Sequence, residues 1–400
     1  MKLNVIDLFA GCGGLIDGFL QSGKFKTLAA VDWEIAPIKT LTRRMEHKWK
    51  YDASEKRVFH FDIQRTHELL FGFDDPYYGK GKGLVELVGD NKVDLVIGGP
   101  PCQAYSMAGR VQDEFGMQND YRNYLFESYI KIVDYFKPNA FVFENVEGIL
   151  SAKPGGIPIV DRIKEAFNKV GYEIIQDLRK NTLLDTSFYD VPQRRKRVIL
   201  FAIKKGWKNK LAINNFYSSM DAAKKTLPTT AKLAFEGLPK IYPLKSTNLK
   251  RNSHSIQLNG SQEVLNHQPR FHNKRDVEIF RLIAEDIRMG TNKYGTVQSL
   301  IDLYREKTGK ISKFHKYHVI REDNPSNTIP AHLHKDGLRH IHPDTIQARS
   351  ITVREAARLQ TFDDDFEFLG GRGDQYKMVG NAVPPKFSKL IAEKIWEIMK

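Results

Sequence analysis

The 400 residues are 41% hydrophobic and 28% charged, with two cysteines and a formal net charge of +14. That length admits two domains, each with a core, and Cys12 and Cys102 alone exclude a disulfide framework or a cysteine-based zinc site and fit a reducing compartment. No run approaches the roughly 20 apolar residues of a membrane span, and the N-terminus enters a strand at once without a signal peptide, so a cytoplasmic protein with no membrane partner is expected.

The charge is concentrated. Residues 204–350 carry 26 Lys and Arg against 13 Asp and Glu, while the remainder is nearly balanced at 36 against 35. A basic segment beside a neutral one points to a polyanion partner, nucleic acid ahead of a merely solubilising surface. The same segment holds nine of the 12 histidines. His332, His334, His340 and His342 lack ligand spacing with a carboxylate, so no metal is expected.

Residues 4–9 read as a first buried strand. The turn Ala10-Gly11-Cys12-Gly13-Gly14 follows, then a helix from Leu15 to Leu20. Strand, glycine turn and helix form a cradle for a nucleotide-like ligand, because glycines admit close backbone approach and a helix N-terminus offers N–H donors. Ile16 occupies the place of the third glycine in the dinucleotide fingerprint, which disfavours a nicotinamide enzyme. Lys26 to Val31 reads as a second strand ending in Asp32-Trp33-Glu34. An acid there is placed for ribose hydroxyls, with Asp32 and Glu34 both candidates, and Trp33 offers a flat face to adenine. Taken alone, Trp33 reads equally well as a half-buried core aromatic. Residues 58–61 form a third strand closed by Asp62-Ile63, whose acid is placed to meet a nucleobase amino group. Residues 72–91 read as a surface insertion with no assigned role.

Val93 to Ile97 is an apolar run that reads as a buried parallel strand. It leads into Gly98-Gly99-Pro100-Pro101-Cys102-Gln103-Ala104-Tyr105-Ser106. A cysteine just past a strand end sits where open α/β sheets place their ligands, and the two prolines stiffen its approach. The loop alone is equally compatible with a small buried cysteine in a turn. Residues 107–121 read as a long mobile loop, followed by a helix from about Arg122 to Phe136. Residues 139–143 form a strand ending in Glu144-Asn145-Val146, where lost solvation should raise the carboxyl pKa and suit it to carry a proton. Tyr172 to Leu178 is another strand. In the run from Val191 to Ile203, strand alternation puts Gln193, Arg195 and Arg197 on one face, three donors able to fix an anionic or carbonyl-bearing substrate. Residues 204–350 hold one clear helical stretch, between Arg270 and Ile287, and an interleaved run of cations and aromatics at 312–318, as nucleic-acid surfaces do. Thr352 and Glu355 form a capping box for a helix to Gln360. Gly380-Asn381-Ala382-Val383-Pro384-Pro385 precedes a final amphipathic helix.

These motifs together resemble the C5-cytosine DNA methyltransferases of prokaryotic restriction-modification type. The resemblance rests on Asp7 to Gly14, Pro100 to Gln103, Glu144 to Val146, Gln193 to Arg197, the helix Arg354 to Phe362, and Gly380 to Pro385, which occur in the family's order. It spans both chain ends and omits only the middle. It implies an α/β fold, a doubly wound, mostly parallel Rossmann-like sheet, with a smaller target-recognition domain. The expected division is 1–203 for the catalytic domain, 204–350 for target recognition, 351–370 for a hinge helix, and 371–400 completing the large domain.

The resemblance also implies S-adenosylmethionine as methyl donor, S-adenosylhomocysteine as product, and a flipped-out cytosine in duplex DNA as substrate. Cys102, Glu144, Arg195 and Arg197 become the catalytic set. Phe9, Gly11, Gly13, Gly14, Asp32, Trp33, Asp62, Ile63, Pro100, Leu125 and Asn381 become the donor site. Gln103, Ser106 and Gln193 become substrate contacts. A reactive thiol, an acid for N3 and a cation near O2 are what C5 methylation of cytosine needs, because the thiolate must first convert the ring to an enamine. Asp32-Trp33 stands where the family often has Glu, and Cys12 falls at a variable position. A monomer is expected, nucleoid-associated, and the compact build suggests a cognate restriction endonuclease acting on the same site. Structured RNA as substrate is disfavoured by the long basic insert. A non-catalytic DNA-binding regulator is disfavoured by the intact Cys102, Glu144 and Arg195.

Overall fold

The computed structural model describes residues 2–52, 57–101, 125–208, 211–243, 254–256, 264–311, 317–335 and 337–400. Cys102, Gln103 and Ser106, the loop 107–121 and the run 312–316 lie outside the described residues.

The chain divides into two compact units, one made of Met1–Asp190, Arg195–Leu227 and Ala382–Lys400, the other of Val191–Arg194 and Pro228–Asn381. The first unit runs β1 (Leu3–Leu8), α1 (Gly14–Gln21), β2 (Phe25–Asp32), α2 (Ile35–His47), β3 (Val58–His60), α3 (Thr66–Phe71), β4 (Phe73–Asp75), β5 (Gly79–Gly81), α4 (Gly83–Val88) and β6 (Leu95–Gly98). It continues through α5 (Leu125–Phe136), β7 (Ala140–Val146), α6 (Ile159–Lys169), β8 (Tyr172–Ile174), α7 (Leu178–Thr182), β9 (Leu183–Asp185), β10 (Lys196–Lys204) and α8 (Leu211–Ala222). The second unit contains α9 (Lys232–Phe235), β11 (Ile241–Pro243), β12 (His254–Ile256), α10 (Lys274–Met289), α11 (Val297–Thr308), α12 (Val353–Leu359) and α13 (Arg372–Asn381). The last helix, α14 (Pro385–Met399), returns to the first unit.

The main sheet has the order β3-β2-β1-β6-β7-β10-β8, with β9 also paired to β10. β3, β2, β1, β6 and β7 are parallel, and β10 is antiparallel to its neighbours. The chain winds outward in both directions from β1 and β6, so the crevice beyond their carboxyl ends is the topological switch point where such sheets bind ligands. Register brings those ends level: Leu8 faces Val31 and Gly98, Gly98 faces Phe143, and Asp32 faces His60. The central strands are apolar and buried on both faces, as parallel strands must be when helices cover them.

Residues 204–227 belong to the first unit, because Phe216 of α8 packs on Phe201, centroids 4.7 Å apart, and the Tyr217 hydroxyl donates to Ile199 O at 3.0 Å. Residues 371–381 belong to the second unit, where the Tyr376 hydroxyl donates to Ile351 O at 2.7 Å. The expected strand through 193 begins only at Lys196, since Gln193 makes an isolated bridge with Ser326 and the Arg195 carbonyl is taken by Thr186 N at 3.0 Å.

α1 is fastened on two sides. Asp17 in its first turn accepts from Arg44 Nε at 2.7 Å, Trp49 Nε1 at 2.8 Å and Gln21 Nε2 at 2.8 Å. On the other side Gly18 lies against the start of α14, where a Cβ would stand 2.5 Å from Ser388 Cβ and also collide with the Pro385 carbonyl. Ser388 Oγ donates to Leu15 O across the same contact. Gly18→Ala is therefore expected to lower stability by about 1–3 kcal/mol through overpacking. Thermal unfolding checks this; an unchanged midpoint would show that α14 can move aside without cost.

Candidate active site

Two clusters of expected site residues gather on the carboxyl edge of the first unit's sheet. The first surrounds the turn after β1. Phe9 has φ 59°, Gly11 55° and Gly13 94°, so the chain passes through three left-handed positions before α1 begins at Gly14. Only glycine takes such angles without strain, and Phe9 is held there as a non-glycine exception. A Cβ on Gly13 would lie 2.5 Å from Leu41 Cδ1, whereas one on Gly11 would meet nothing within 4 Å. The turn is thus tight against α2 and open at Gly11.

Asp32, the last residue of β2, closes this turn. Its Oδ2 accepts from Gly11 N at 2.8 Å and its Oδ1 from Glu34 N at 2.9 Å. Burial pushes its acid up to about 6, against the lowering effect of those N–H groups. Glu34 itself precedes α2, and its backbone N–H is spent on Asp32. Trp33 is 48% exposed at the strand end, so it is open to solvent and is not a core aromatic. Asp62 lies just past β3 and accepts from Gln64 N at 3.0 Å. Ile63 and Leu125 are buried in one apolar cluster with Phe61, which accounts for their side chains as core and as floor beneath this edge. Asp7, not weighed as a site residue from sequence, is completely buried at the end of β1, and burial together with Asp32 raises its acid well above the carboxylate range.

The second cluster joins β7 and β10. Glu144 Oε1 pairs with Arg197 Nε at 2.9 Å, and each side chain is 13% exposed. β10 antiparallel to β7 explains the meeting, since Ile199 faces Glu144 and Arg197 faces Val146. Burial raises the Glu144 acid, opposed by the charges of Arg197 and Arg195. Arg195 is 1% exposed and donates from Nη2 to Ala382 O at 2.9 Å. Gly99 is pressed against the acid: a Cβ there would lie 2.6 Å from Glu144 Oε2. The carbonyl of Pro100 accepts from Asn145 Nδ2 at 3.3 Å. The segment that leads to Cys102 is thus tied to the Glu144 strand. The glycine pair was visible in the sequence, but nothing there said which acid it must clear.

Gln193 and Asn381 belong to the second unit. Gln193 is completely buried; its Nε2 donates to Gln360 Oε1 at 2.9 Å and its Oε1 accepts from Ile329 N at 2.8 Å. Asn381 is the exposed last residue of α13. Among the described residues no group of three His, Cys, Asp or Glu side chains is arranged to hold a metal, and no helix is long and apolar enough to cross a membrane.

A mostly parallel, doubly wound sheet with a glycine turn and an acid at its crevice defines a Rossmann-like methyltransferase fold. The C-5 cytosine-specific DNA methylase family matches residues 3–397, and the chain belongs to it. The chain is 34% identical to the Type II methyltransferase M.Bpa9945I of Bacillus paralicheniformis, over 99% of each protein. It is 30% identical to the Type II methyltransferase M1.HphI of Haemophilus parahaemolyticus, over 99% of this chain and 87% of that one. Among solved structures, an E. coli prophage-encoded protein described as a DNA modification methyltransferase superposes with a TM-score of 0.65 at 22% identity, over 99% of both chains. The Dnmt2 methyltransferase of S. pombe superposes with a TM-score of 0.57 at 14% identity, over 100% of this chain and 98% of that one. The protein is a DNA cytosine methyltransferase, and the family implies S-adenosylmethionine as donor. The residues present fit such a group: Gly11 opens the turn onto free space, Asp32 is an acceptor beside it, and the Trp33 aromatic is half exposed.

Proposed function

We propose that the chain methylates C5 of a cytosine turned out of duplex DNA, through a covalent bond from Cys102 to C6. The observation that most supports this is Glu144: an acid whose pKa burial raises, paired with Arg197 and facing Gly99, three residues before the thiol. Cys102 as thiolate adds to C6 while Glu144 donates a proton to N3, so the ring becomes an enamine with a nucleophilic C5. Arg195 supplies positive charge toward O2, and Arg197 holds the acid in line. S-adenosylmethionine, when bound, supplies an electrophilic methyl group and leaves as S-adenosylhomocysteine. A water then takes the C5 proton, the electron pair reforms the C5–C6 double bond, and the thiolate departs as N3 returns its proton to Glu144.

On this reading Gly11, Gly13 and Gly14 face the donor's methionine part, Asp32 the ribose, and Trp33, Asp62, Ile63 and Leu125 the adenine, with Phe9 and Pro100 also lining the site. The basic segment 204–350 reads the duplex, Gln103 and Ser106 serve the flipped base, and the monomer works in the cytoplasm beside a nuclease of the same specificity. Relatives named as Type II methyltransferases support that last point.

Bisulfite sequencing of a treated plasmid maps the modified cytosine. A duplex carrying 5-fluorocytosine there cannot release its C5 substituent as a proton, so a stable protein–DNA adduct is expected with wild type and none with Cys102→Ala. Absence of adduct from wild type would overturn the covalent route. Asp32 adds a pH test. Its carboxylate form accepts ribose hydroxyls and its protonated form does so poorly, so affinity for S-adenosylhomocysteine is expected to fall as pH drops through about 6. Calorimetric titration between pH 5 and 8 checks this, and a flat profile would remove Asp32 from the ribose.

A further inference from the structure

The hairpin β4–β5 lies in the segment 72–91, to which sequence reading assigned no role. It is built onto the end of β3. The Phe73 ring stacks on Phe61, centroids 4.0 Å apart at 26°. A side chain on Gly81 would strike the Phe73 ring, so β5 crosses it as glycine. The tip is fixed by Asp75, whose Oδ1 accepts from Tyr77 N at 2.8 Å and Tyr78 N at 2.9 Å. Its Oδ2 accepts from Arg65 Nη1 at 2.6 Å, and Arg65 also pairs with Glu68 and lies 4.9 Å over the Phe61 ring. Arg65 and the two N–H donors hold the Asp75 acid down at about 2, so the staple stays charged at working pH.

This construction aims two rings at the ends of β2 and β3. Tyr78 lies 5.0 Å from Phe61 and 5.0 Å from His60, and Tyr77 lies 5.5 Å from His60. His60 Nε2 donates to the Trp33 backbone carbonyl at 3.0 Å, so the histidine beside both tyrosines also touches the chain just past β2. Burial, and after it the nearby Asp62, raises the Tyr78 hydroxyl. Tyr77 nevertheless remains 71% exposed and Trp33 48% exposed. Tyr78 also packs on the core, but core packing does not explain Tyr77, which a stapled turn holds exposed near the end of β3. A flat, apolar ligand with a polar edge does.

We propose that the hairpin tip is an outer wall of the donor site, with Tyr77 and Tyr78 contacting the adenine end and the Arg65–Asp75 pair positioning them. The proposal rests on the donor site assigned above. Its test is calorimetric titration of the full-length enzyme with S-adenosylhomocysteine. Tyr77→Ala and Tyr78→Ala are each expected to weaken binding about tenfold, as loss of a ring against a base does. Arg65→Gln is expected to weaken it by a similar factor, because the tip loses its staple. In turnover assays the effect falls on donor KM and not on kcat, and DNA affinity stays at the wild-type value. Tyr77, being exposed, can be removed without disturbing the core, so its variant remains informative even if the other two unfold. Wild type that fails to bind S-adenosylhomocysteine would overturn the donor site itself. Wild type that binds while Tyr77→Ala and Tyr78→Ala bind equally well would overturn the hairpin's role and leave the donor site standing. A drop in kcat without a change in affinity would also overturn it.

Discussion

Glu144→Gln is expected to lower kcat for methyl transfer about 10³-fold, within the range carried by a positioned general acid. Affinity for DNA and for donor should change by only a few-fold, since Gln keeps the shape and polarity of the side chain. The reason lies in the balance of forces on this carboxyl. Burial favours its protonated form, while Arg197 at 2.9 Å and the nearby Arg195 favour the ionised one. The net direction is upward, which favours the protonated form that N3 needs when the ring is attacked. The acid is active when protonated, so kcat declines as pH rises through its folded pKa; that alkaline limb should vanish in Glu144→Gln. Gly99→Ala should reproduce part of the loss without removing the acid, because its Cβ would enter the space 2.6 Å from Glu144 Oε2. Single-turnover kinetics at saturating DNA and donor measure both variants. Wild-type rates in Glu144→Gln would mean that N3 needs no proton from the protein.

The elements that could be read from the sequence are those whose signal is local. β1 with its glycine turn, β2 with Asp32, β6 and β7 each pair an apolar run with a polar terminus, and the parallel register then carries those termini to one edge. The capping box at Thr352 and Glu355 is also local and is present with both of its hydrogen bonds. What escaped depends on partners far apart in the chain. Alternation from Gln193 to Arg197 assumed one continuous strand, but Gln193 is bonded to Gln360 and Ile329, more than a hundred residues away. The ends of the basic segment were set by composition, whereas residues 204–227 pack by Phe216 and Tyr217 on β10. Asp75 and Arg65 form a staple across a turn that composition marks only as polar and glycine-rich.

Arg349→Met is expected to cost about 3–5 kcal/mol, the scale for breaking a buried ion pair by removing one member. Arg349 donates to both oxygens of Glu355, at 2.6 and 2.7 Å, with each side chain 1% exposed. Glu355 also accepts from Thr352 N at 2.7 Å. The Thr352 hydroxyl donates to His267 Nδ1 at 2.9 Å, because His267 Nε2 must donate to the Pro239 carbonyl. Without the guanidinium, a carboxylate that the fold holds well below its usual range loses its main countercharge and keeps the His342 ring at 3.5 Å beside it. Replacing both partners, as Arg349→Met with Glu355→Leu, should cost less than Arg349→Met alone, since no lone charge remains buried. Urea unfolding at neutral pH decides this, and a single-variant cost under about 1 kcal/mol would contradict the pairing energy claimed from burial. Acid should weaken the same unit even in wild type. Burial holds His340 and His342 at about 3 against 6.5 for the free side chain, so below 6.5 the unfolded chain takes up protons that the folded one refuses. Each histidine then removes about 2 kcal/mol by pH 5. Glu355 acts later: its contribution is complete above the unfolded carboxylate pKa and is lost as pH falls from there through its depressed folded value. Stability that begins to fall only below pH 4.5 would mean that the histidines can find solvent while the fold stays closed.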